Sequence, residues 1–66
     1  MADYCVNNQA QSNGDHEVHV YTCSYLPADF TYLGSFDSCY PAVVRAKQYY
    51  PQSNGCYWCC RACHTG

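Results

Sequence analysis

The residues best able to do chemistry lie at the C-terminal end of the chain. Residues 54–66 hold four of the seven cysteines, and a histidine follows the last of these. Two Cys-x2-Cys pairs stand in direct succession, Cys56/Cys59 and Cys60/Cys63. Thiolate and imidazole groups bind zinc, and thiols also form disulfides. This C-terminal cysteine knuckle therefore predicts what holds the fold together, whereas no set of residues amounts to a recognisable catalytic site.

A zinc site is the first interpretation of this spacing. Cys56-x2-Cys59 follows the turn signal Asn54-Gly55 and fits one half of a tetrahedral site. The first strand candidate offers a second half, His19-x3-Cys23, but residues four apart on an extended strand lie roughly 13 Å apart. The strand must therefore end and bend before Cys23. We predict one structural zinc bound by Cys23, Cys56 and Cys59. The predicted fourth ligand is one of His19, Cys63 and His64.

Two other uses of the cysteines remain open. A disulfide framework is the first, although an odd number of cysteines leaves one thiol free or paired between molecules. Thiol–disulfide exchange by Cys56-Tyr57-Trp58-Cys59 is the second. Dithiol oxidoreductases place the first cysteine at a helix N-terminus, which lowers its pKa. Here the predicted helix precedes the cysteines, which counts against redox catalysis.

The composition predicts a fold that is cross-linked by disulfides or a metal, and it limits the classes of partner. The 66 residues include few aliphatic side chains but eight tyrosines and one tryptophan. A core of this kind is shallow and usually needs disulfides or a metal. Three basic residues stand against five acidic ones, so the clustered basic footprint of a DNA-binding domain is missing. We expect a monomer with a protein partner rather than a nucleic acid.

The sequence also bears on location. It holds no apolar run near the ~20 residues that a membrane span needs. It does not open with the basic and apolar regions of a signal peptide. We therefore expect no membrane association and a cytoplasmic protein, which a leader preceding these residues would change to a secreted or periplasmic one.

The elements that must position the cysteines form an α+β pattern. Residues 1–14 are mostly polar and predict a flexible tail, with Cys5 free, before a single domain over residues 15–66. Alternation predicts a strand at about residues 17–22 and a second at 30–35, paired as a short antiparallel hairpin. Asp37 or Ser38 offers the N-cap of a helix over about 38–50, ended by Pro51.

The predicted helix has one apolar stripe. Its members recur at helical spacing: Cys39, Ala42, Val43, Ala46 and Tyr50. We expect this stripe to pack on the hairpin. On it, Cys39 is predicted to act as a small hydrophobic residue rather than as a ligand.

The series His19-x3-Cys23, a helix with small residues, and Cys56-x2-Cys59 resembles a known family. It is similar to the metal-binding module of Ada-type DNA-alkylation-repair proteins and to related modules that follow some bacterial nuclease domains. The resemblance spans about residues 16–60 and implies a small α+β domain in which zinc ties the helix to the hairpin. The extra Cys60, Cys63 and His64 depart from that pattern. The chain as a whole also resembles small cysteine-rich bacterial proteins.

Together these observations predict a small, non-enzymatic zinc-binding module that serves a structural or interaction role. The alternative is a disulfide-stapled extracytoplasmic protein. The third hypothesis is a thiol–disulfide oxidoreductase.

Overall fold

A computed structural model of the protein describes residues 1–65. A four-stranded sheet and one helix make up most of it. In chain order the elements are β1 (Ala2–Asn7), β2 (His16–Val20), β3 (Phe30–Phe36), α1 (Cys39–Ala46), β4 (Ser53–Gly55) and a 3₁₀ turn (Arg61–Cys63). The strands lie in the order β3-β1-β2-β4. β1 is antiparallel to both of its neighbours, and β4 runs parallel to β2. This confirms the predicted α+β class.

Strand β1 corrects the prediction of a flexible tail over residues 1–14. It lies between β2 and β3 in the sheet, and Cys5 and Val6 are fully buried. The register places Val6 opposite Val18, and Cys5 opposite His19. Four of the six residues of β1 are Ala, Tyr, Cys or Val, but the polar run over residues 7–15 dominates the local pattern of this end of the chain. The burial of β1 comes from pairing on both edges, which the local pattern does not reveal.

The polar run after β1 is held by side-chain hydrogen bonds. Asn8 is the centre of one group, because its Oδ1 accepts from the hydroxyls of Thr31 at 2.6 Å and Tyr50 at 2.9 Å. Its Nδ2 donates to Asp29 Oδ1 at 2.8 Å. These bonds connect the β1–β2 loop to β3 and to the chain after the helix, so polar contacts rather than apolar burial order this loop.

The antiparallel hairpin exists, but its partners differ from those predicted. β1 pairs directly with β2, and β1 also separates β2 from β3. The predicted pairing of residues 17–22 with residues 30–35 is therefore wrong, although both segments are strands. β2 ends at Val20, because Tyr21 and Thr22 form a turn.

The helix α1 confirms the predicted stripe. Ser38 occupies the N-cap position with extended backbone, and the buried positions are Cys39, Ala42 and Ala46. The helix ends at Ala46 rather than near residue 50, and residues 47–49 continue as turn. Two buried alanines let the helix approach the sheet closely, where the core adds Tyr4, Val6, Val18 and Leu33.

A disulfide joins the first residue of α1 to the 3₁₀ turn. It connects Cys39 with Cys63, which are 24 residues apart in sequence. This corrects the expectation that Cys39 acts only as a small hydrophobic residue, although its side chain is buried as predicted. In the part of the chain described, no helix is long and apolar enough to cross a membrane.

Candidate metal centre

Four potential ligands converge at the end of β2. They are His19, Cys23, Cys56 and Cys59, and one ligand atom from each lies within 4.8 Å of all the others. In a tetrahedral zinc site with bonds of about 2.0–2.3 Å, ligand atoms lie roughly 3.3–3.8 Å apart. The group is slightly wider than a closed site, a difference that small side-chain rotations can remove.

The end of β2 brings its two ligands together. His19 is the penultimate residue of β2, and the chain turns immediately after Val20. The turn is closed by a hydrogen bond from the Cys23 amide to the Val20 carbonyl at 3.0 Å. This confirms that the strand ends and bends before Cys23.

The second pair of ligands stands on the knuckle after β4. Asn54-Gly55 was predicted to be a turn, but both residues belong to β4, and the turn lies at residues 57–59. The parallel pairing of β4 with β2 carries Cys56 beside the first pair, and the Cys56 amide donates to the Val18 carbonyl at 2.9 Å. The turn is closed by the Cys60 amide, which donates to the Cys56 carbonyl at 2.9 Å.

Gly55 and Asn54 allow the C-terminal segment to fold back on β4. A Cβ atom at Gly55 would lie 2.7 Å from the Cys60 carbonyl oxygen and 2.8 Å from Cys63 Cβ, so a larger residue would push the knuckle away. The Asn54 side chain accepts from the Thr65 amide at 3.0 Å and donates to the Thr65 carbonyl at 2.8 Å. These contacts fix the position of the knuckle.

Each of the three ligand sulfurs accepts a backbone hydrogen bond of 3.4 Å. Such bonds favour the thiolate over the thiol, as zinc binding requires. In two cases the donor is the amide two residues further along, which is the geometry of a tight turn around the sulfur. The pairs are Tyr25 with Cys23, Trp58 with Cys56, and Val20 with Cys59.

His19 is oriented as a metal-binding histidine. Its Nδ1 lies 3.9 Å from Cys59 Sγ, and its Nε2 lies 3.4 Å from Glu17 Oε1. Metal-bound histidines usually donate their second ring N–H to a carboxylate or carbonyl group. Burial lowers the pKa of His19, which favours the neutral imidazole that can bind a metal. Sequence reasoning missed Glu17, although its position two residues before His19 places both on one face of β2.

Burial and the neighbouring sulfurs disfavour the charged form of Cys59. Burial raises the pKa of the Cys59 thiol far above its usual range, and the neighbouring thiols of Cys23, Cys60 and Cys56 raise it further. The amide of Val20 acts in the opposite direction. Three thiolates this close together would repel one another, and a bound divalent ion would compensate this repulsion and deprotonate the coordinating thiols.

The remaining predicted candidates lie outside the cluster. Cys63 is bonded to Cys39, so its sulfur is not available as a thiolate, and this corrects its place among the possible fourth ligands. His64 Nδ1 lies 3.0 Å from the Gly55 carbonyl oxygen. Cys60 is buried, and its Sγ lies 3.8 Å from Cys59 Sγ. Sequence reasoning missed the disulfide, because the helical stripe explained Cys39 without one.

Exposed aromatic residues surround the centre on the same two turns. Trp58, 65% exposed, stacks on Tyr25 with ring centroids 5.5 Å apart, and Tyr57 meets Trp58 edge-on at 4.9 Å. The Arg61 guanidinium lies 4.2 Å from the centre of the Tyr57 ring. We call Tyr25, Tyr57 and Trp58, together with Arg61, the aromatic rim.

Comparisons with protein-family models, with curated proteins and with solved structures gave no match to this chain. The structure gives a His/Cys cluster that could hold a metal ion in a small α+β domain.

Proposed function

We propose that the protein is a small, non-enzymatic module held together by one structural zinc ion. The observation that carries this proposal is the convergence of His19, Cys23, Cys56 and Cys59 within 4.8 Å. One histidine and three cysteines are a common structural zinc set, whereas calcium and magnesium prefer oxygen ligands. Four protein ligands fill a tetrahedral shell and leave no position for a substrate, which supports a structural role.

The resemblance to the Ada-type module supports the same ligand set. Its two pairs, His19-x3-Cys23 and Cys56-x2-Cys59, contain the four residues that converge. The DNA-binding side of that resemblance is not part of the proposal. Three basic residues against five acidic ones give little attraction to phosphates.

A protein partner fits the aromatic rim best. Tyrosine, tryptophan and arginine are enriched in the parts of protein interfaces that contribute most to binding. Tyr25, Tyr57 and Trp58 lie on the two turns that carry the cysteine ligands, so zinc would fix the rim in one arrangement. We infer that the module presents this rim to another protein.

Two observations support the absence of redox catalysis. The pKa of the Cys59 thiol is raised by burial, whereas oxidoreductase thiols usually have lowered pKa values. The first cysteine of the pair, Cys56, follows a β-strand rather than starting a helix. An insulin-reduction assay tests this point, and activity that disappears in Cys56→Ser would contradict the proposal.

A second candidate is the disulfide-stapled extracytoplasmic protein, which one observation favours. Cys39 and Cys63 form a disulfide, and disulfides persist mainly in oxidising compartments. Intact mass under native conditions separates the two candidates. One zinc in the native mass, together with a loss of two hydrogens in the mass of the denatured, metal-free protein, supports the zinc module with a single disulfide. A loss of six hydrogens without metal would support the stapled protein instead.

A pair of adjacent variants tests the ligand set. Cys59→Ala removes a proposed ligand, whereas Cys60→Ala removes a neighbouring buried cysteine outside the cluster. We expect Cys59→Ala to lower the zinc affinity at least tenfold and Cys60→Ala to lower it much less, through lost packing in the core alone. Competition titration with a chromophoric chelator measures both. Equal losses in the two variants would contradict the proposed ligands.

The fluorescence of Trp58 tests the class of partner. It is the only tryptophan of the chain and is largely exposed, so a ligand stacking on the rim should change its emission. Titration of the zinc-loaded protein with single-stranded oligonucleotides should leave the spectrum unchanged. A salt-dependent quench would instead favour nucleic acid over protein.

A further inference from the structure

We propose that Cys59 and Cys60 form an oxidation site, at which a peroxide converts the two thiols to a disulfide and releases the zinc. The inference rests on the proposed zinc module. Its geometric basis is the distance of 3.8 Å between the two Sγ atoms. In this site Cys59 is the residue that reacts with peroxide, and Cys60 is the resolving thiol.

Cys60 differs from the other free cysteines because it contacts a proposed ligand without belonging to the ligand set. The free cysteines of the described chain are Cys5, Cys23, Cys56, Cys59 and Cys60. Three of them belong to the proposed ligand set, and Cys5 lies in β1. Cys60 therefore combines contact with a ligand sulfur and a position outside the set.

Exposure and contact together favour Cys59 as the first residue to react. The side chains of Cys23 and Cys59 are both partly exposed, whereas Cys56 is 1% exposed and Cys60 is 3% exposed. Of the two exposed ligands, Cys59 is the one whose Sγ lies 3.8 Å from the Cys60 Sγ. Reactivity of cysteines toward oxidants follows thiolate character and access. Cys59 can therefore be reached from solvent, whereas Cys60 is buried.

Cys60 is also better suited than the other neighbouring sulfurs to attack an oxidised Cys59. Cys23 and Cys56 lie within 4.8 Å of Cys59, but in the loaded protein their sulfur lone pairs bind zinc. The lone pairs of Cys60 are not committed to the metal. It is therefore the first sulfur able to attack an oxidised Cys59.

The reaction balances in two steps with hydrogen peroxide as the oxidant. The Cys59 thiolate attacks one peroxide oxygen, the O–O bond breaks, and Cys59 sulfenic acid and hydroxide form. The Cys60 sulfur then attacks the Cys59 sulfur, the S–O bond breaks, and the departing hydroxide takes the Cys60 proton to become water. The two sulfurs lose two electrons in total, and the peroxide is reduced to one water and one hydroxide.

Zinc loses a ligand as a direct consequence. A disulfide sulfur no longer carries the negative charge that binds the ion, and His19, Cys23 and Cys56 remain as three ligands. A disulfide bond of about 2.05 Å also requires the two sulfurs to approach each other. Consecutive Cα atoms lie about 3.8 Å apart, closer than the about 4.4 Å or more that is usual in a disulfide, so the bond also distorts the turn that holds Cys59 in the cluster.

The test compares zinc-loaded full-length protein, Cys60→Ala and Cys5→Ala after treatment with hydrogen peroxide. Cys5→Ala is the matched control, because Cys5 is also a buried free cysteine. A chromophoric chelator measures released zinc, peptide mass mapping locates the disulfide, and dimedone traps sulfenic acid. Zinc content before treatment is measured separately.

We expect the unmodified chain and Cys5→Ala to release one zinc for each Cys59–Cys60 disulfide formed. In Cys60→Ala, dimedone labelling of Cys59 should rise roughly tenfold, because no resolving thiol is present. A disulfide between Cys59 and Cys23 or Cys56 in the unmodified chain would overturn the inference, as would equal labelling in all three proteins. Absence of zinc before treatment would instead overturn the proposed zinc module and, with it, the release.

Discussion

The helix–sheet half and the cysteine half of the domain are held together differently. In the helix–sheet half, apolar side chains such as Val6, Val18 and Leu33 are buried against the alanines of α1. The cysteine half consists of residues 20–26 and 55–65, and the buried side chains that it adds to this same core are Cys56 and Cys60. A segment with so little to bury cannot offset its ordering entropy by the hydrophobic effect alone.

This difference shows how a short chain can extend a small core. Strand β2 serves both halves, because Val18 faces the helix–sheet core and His19 lies on the opposite face with the metal cluster. The disulfide also bridges them, since Cys39 belongs to α1 and Cys63 to the C-terminal segment. The disulfide and the His/Cys cluster thus lie where the chain has few apolar side chains to bury.

Removal of zinc should have the largest effect on the folding of the two halves. Structural zinc in small domains contributes an apparent free energy of about 10–16 kcal/mol, comparable with the whole stability of a typical domain. We expect a chelator to abolish amide dispersion in both halves, and equimolar zinc to restore it, in ¹H–¹⁵N spectra. If only residues 20–26 and 55–65 lost dispersion, the helix–sheet half would be shown to fold alone.

Leu33→Ala should have the next largest effect and tests whether the two halves are coupled. Leu33 is 6% exposed in β3, so its truncation should cost about 2–5 kcal/mol. If zinc binding requires folding, a loss of 2 kcal/mol lowers the apparent zinc affinity about 30-fold. Chelator competition measures this. Val44→Ala, at a 64% exposed position on α1, is the control and should change little. An unchanged affinity in Leu33→Ala would mean that the halves are independent.

Loss of the disulfide should have a smaller effect. We expect the double variant Cys39→Ala/Cys63→Ala to lose at most about 3 kcal/mol in urea unfolding of the zinc-loaded protein. Zinc already restrains much of the same part of the chain, which limits the loss. The stoichiometry should stay at one zinc, because neither sulfur lies in the cluster. Failure to bind zinc would return Cys63 to the ligand set.

Glu17→Gln should have the smallest effect. It keeps the size of the side chain but removes the charge that lies 3.4 Å from His19 Nε2. Loss of such a partner typically weakens metal binding by 10–100-fold, and we expect about tenfold here because an amide oxygen can still accept a hydrogen bond. Asp37→Asn, at an exposed acidic residue before α1, is the control. Equal affinities in the two variants would remove Glu17 from the site.

Local patterns predicted the elements better than their pairing. The positions of β2 and β3 and the buried stripe of α1 follow from period-two and helical spacing, which the sequence displays directly. Strand β1 was missed because the polar run over residues 7–15 led to the prediction of a flexible tail for the whole of this end of the chain. Its burial depends on two neighbouring strands, and the partners of the hairpin were misassigned for the same reason.

The candidate ligands are visible in the sequence: cysteine pairs at tight spacing, a histidine four residues before Cys23, and too few aliphatic residues for a large core. Which of these candidates meet depends on the packing of distant segments. Spacing limits which residues can share a turn, but the order of strands brings Cys56 to Val18 and thereby selects His19. The fold also pairs Cys63 with Cys39 and leaves Cys60 beside the cluster, because contacts between distant segments depend on packing rather than on local pattern.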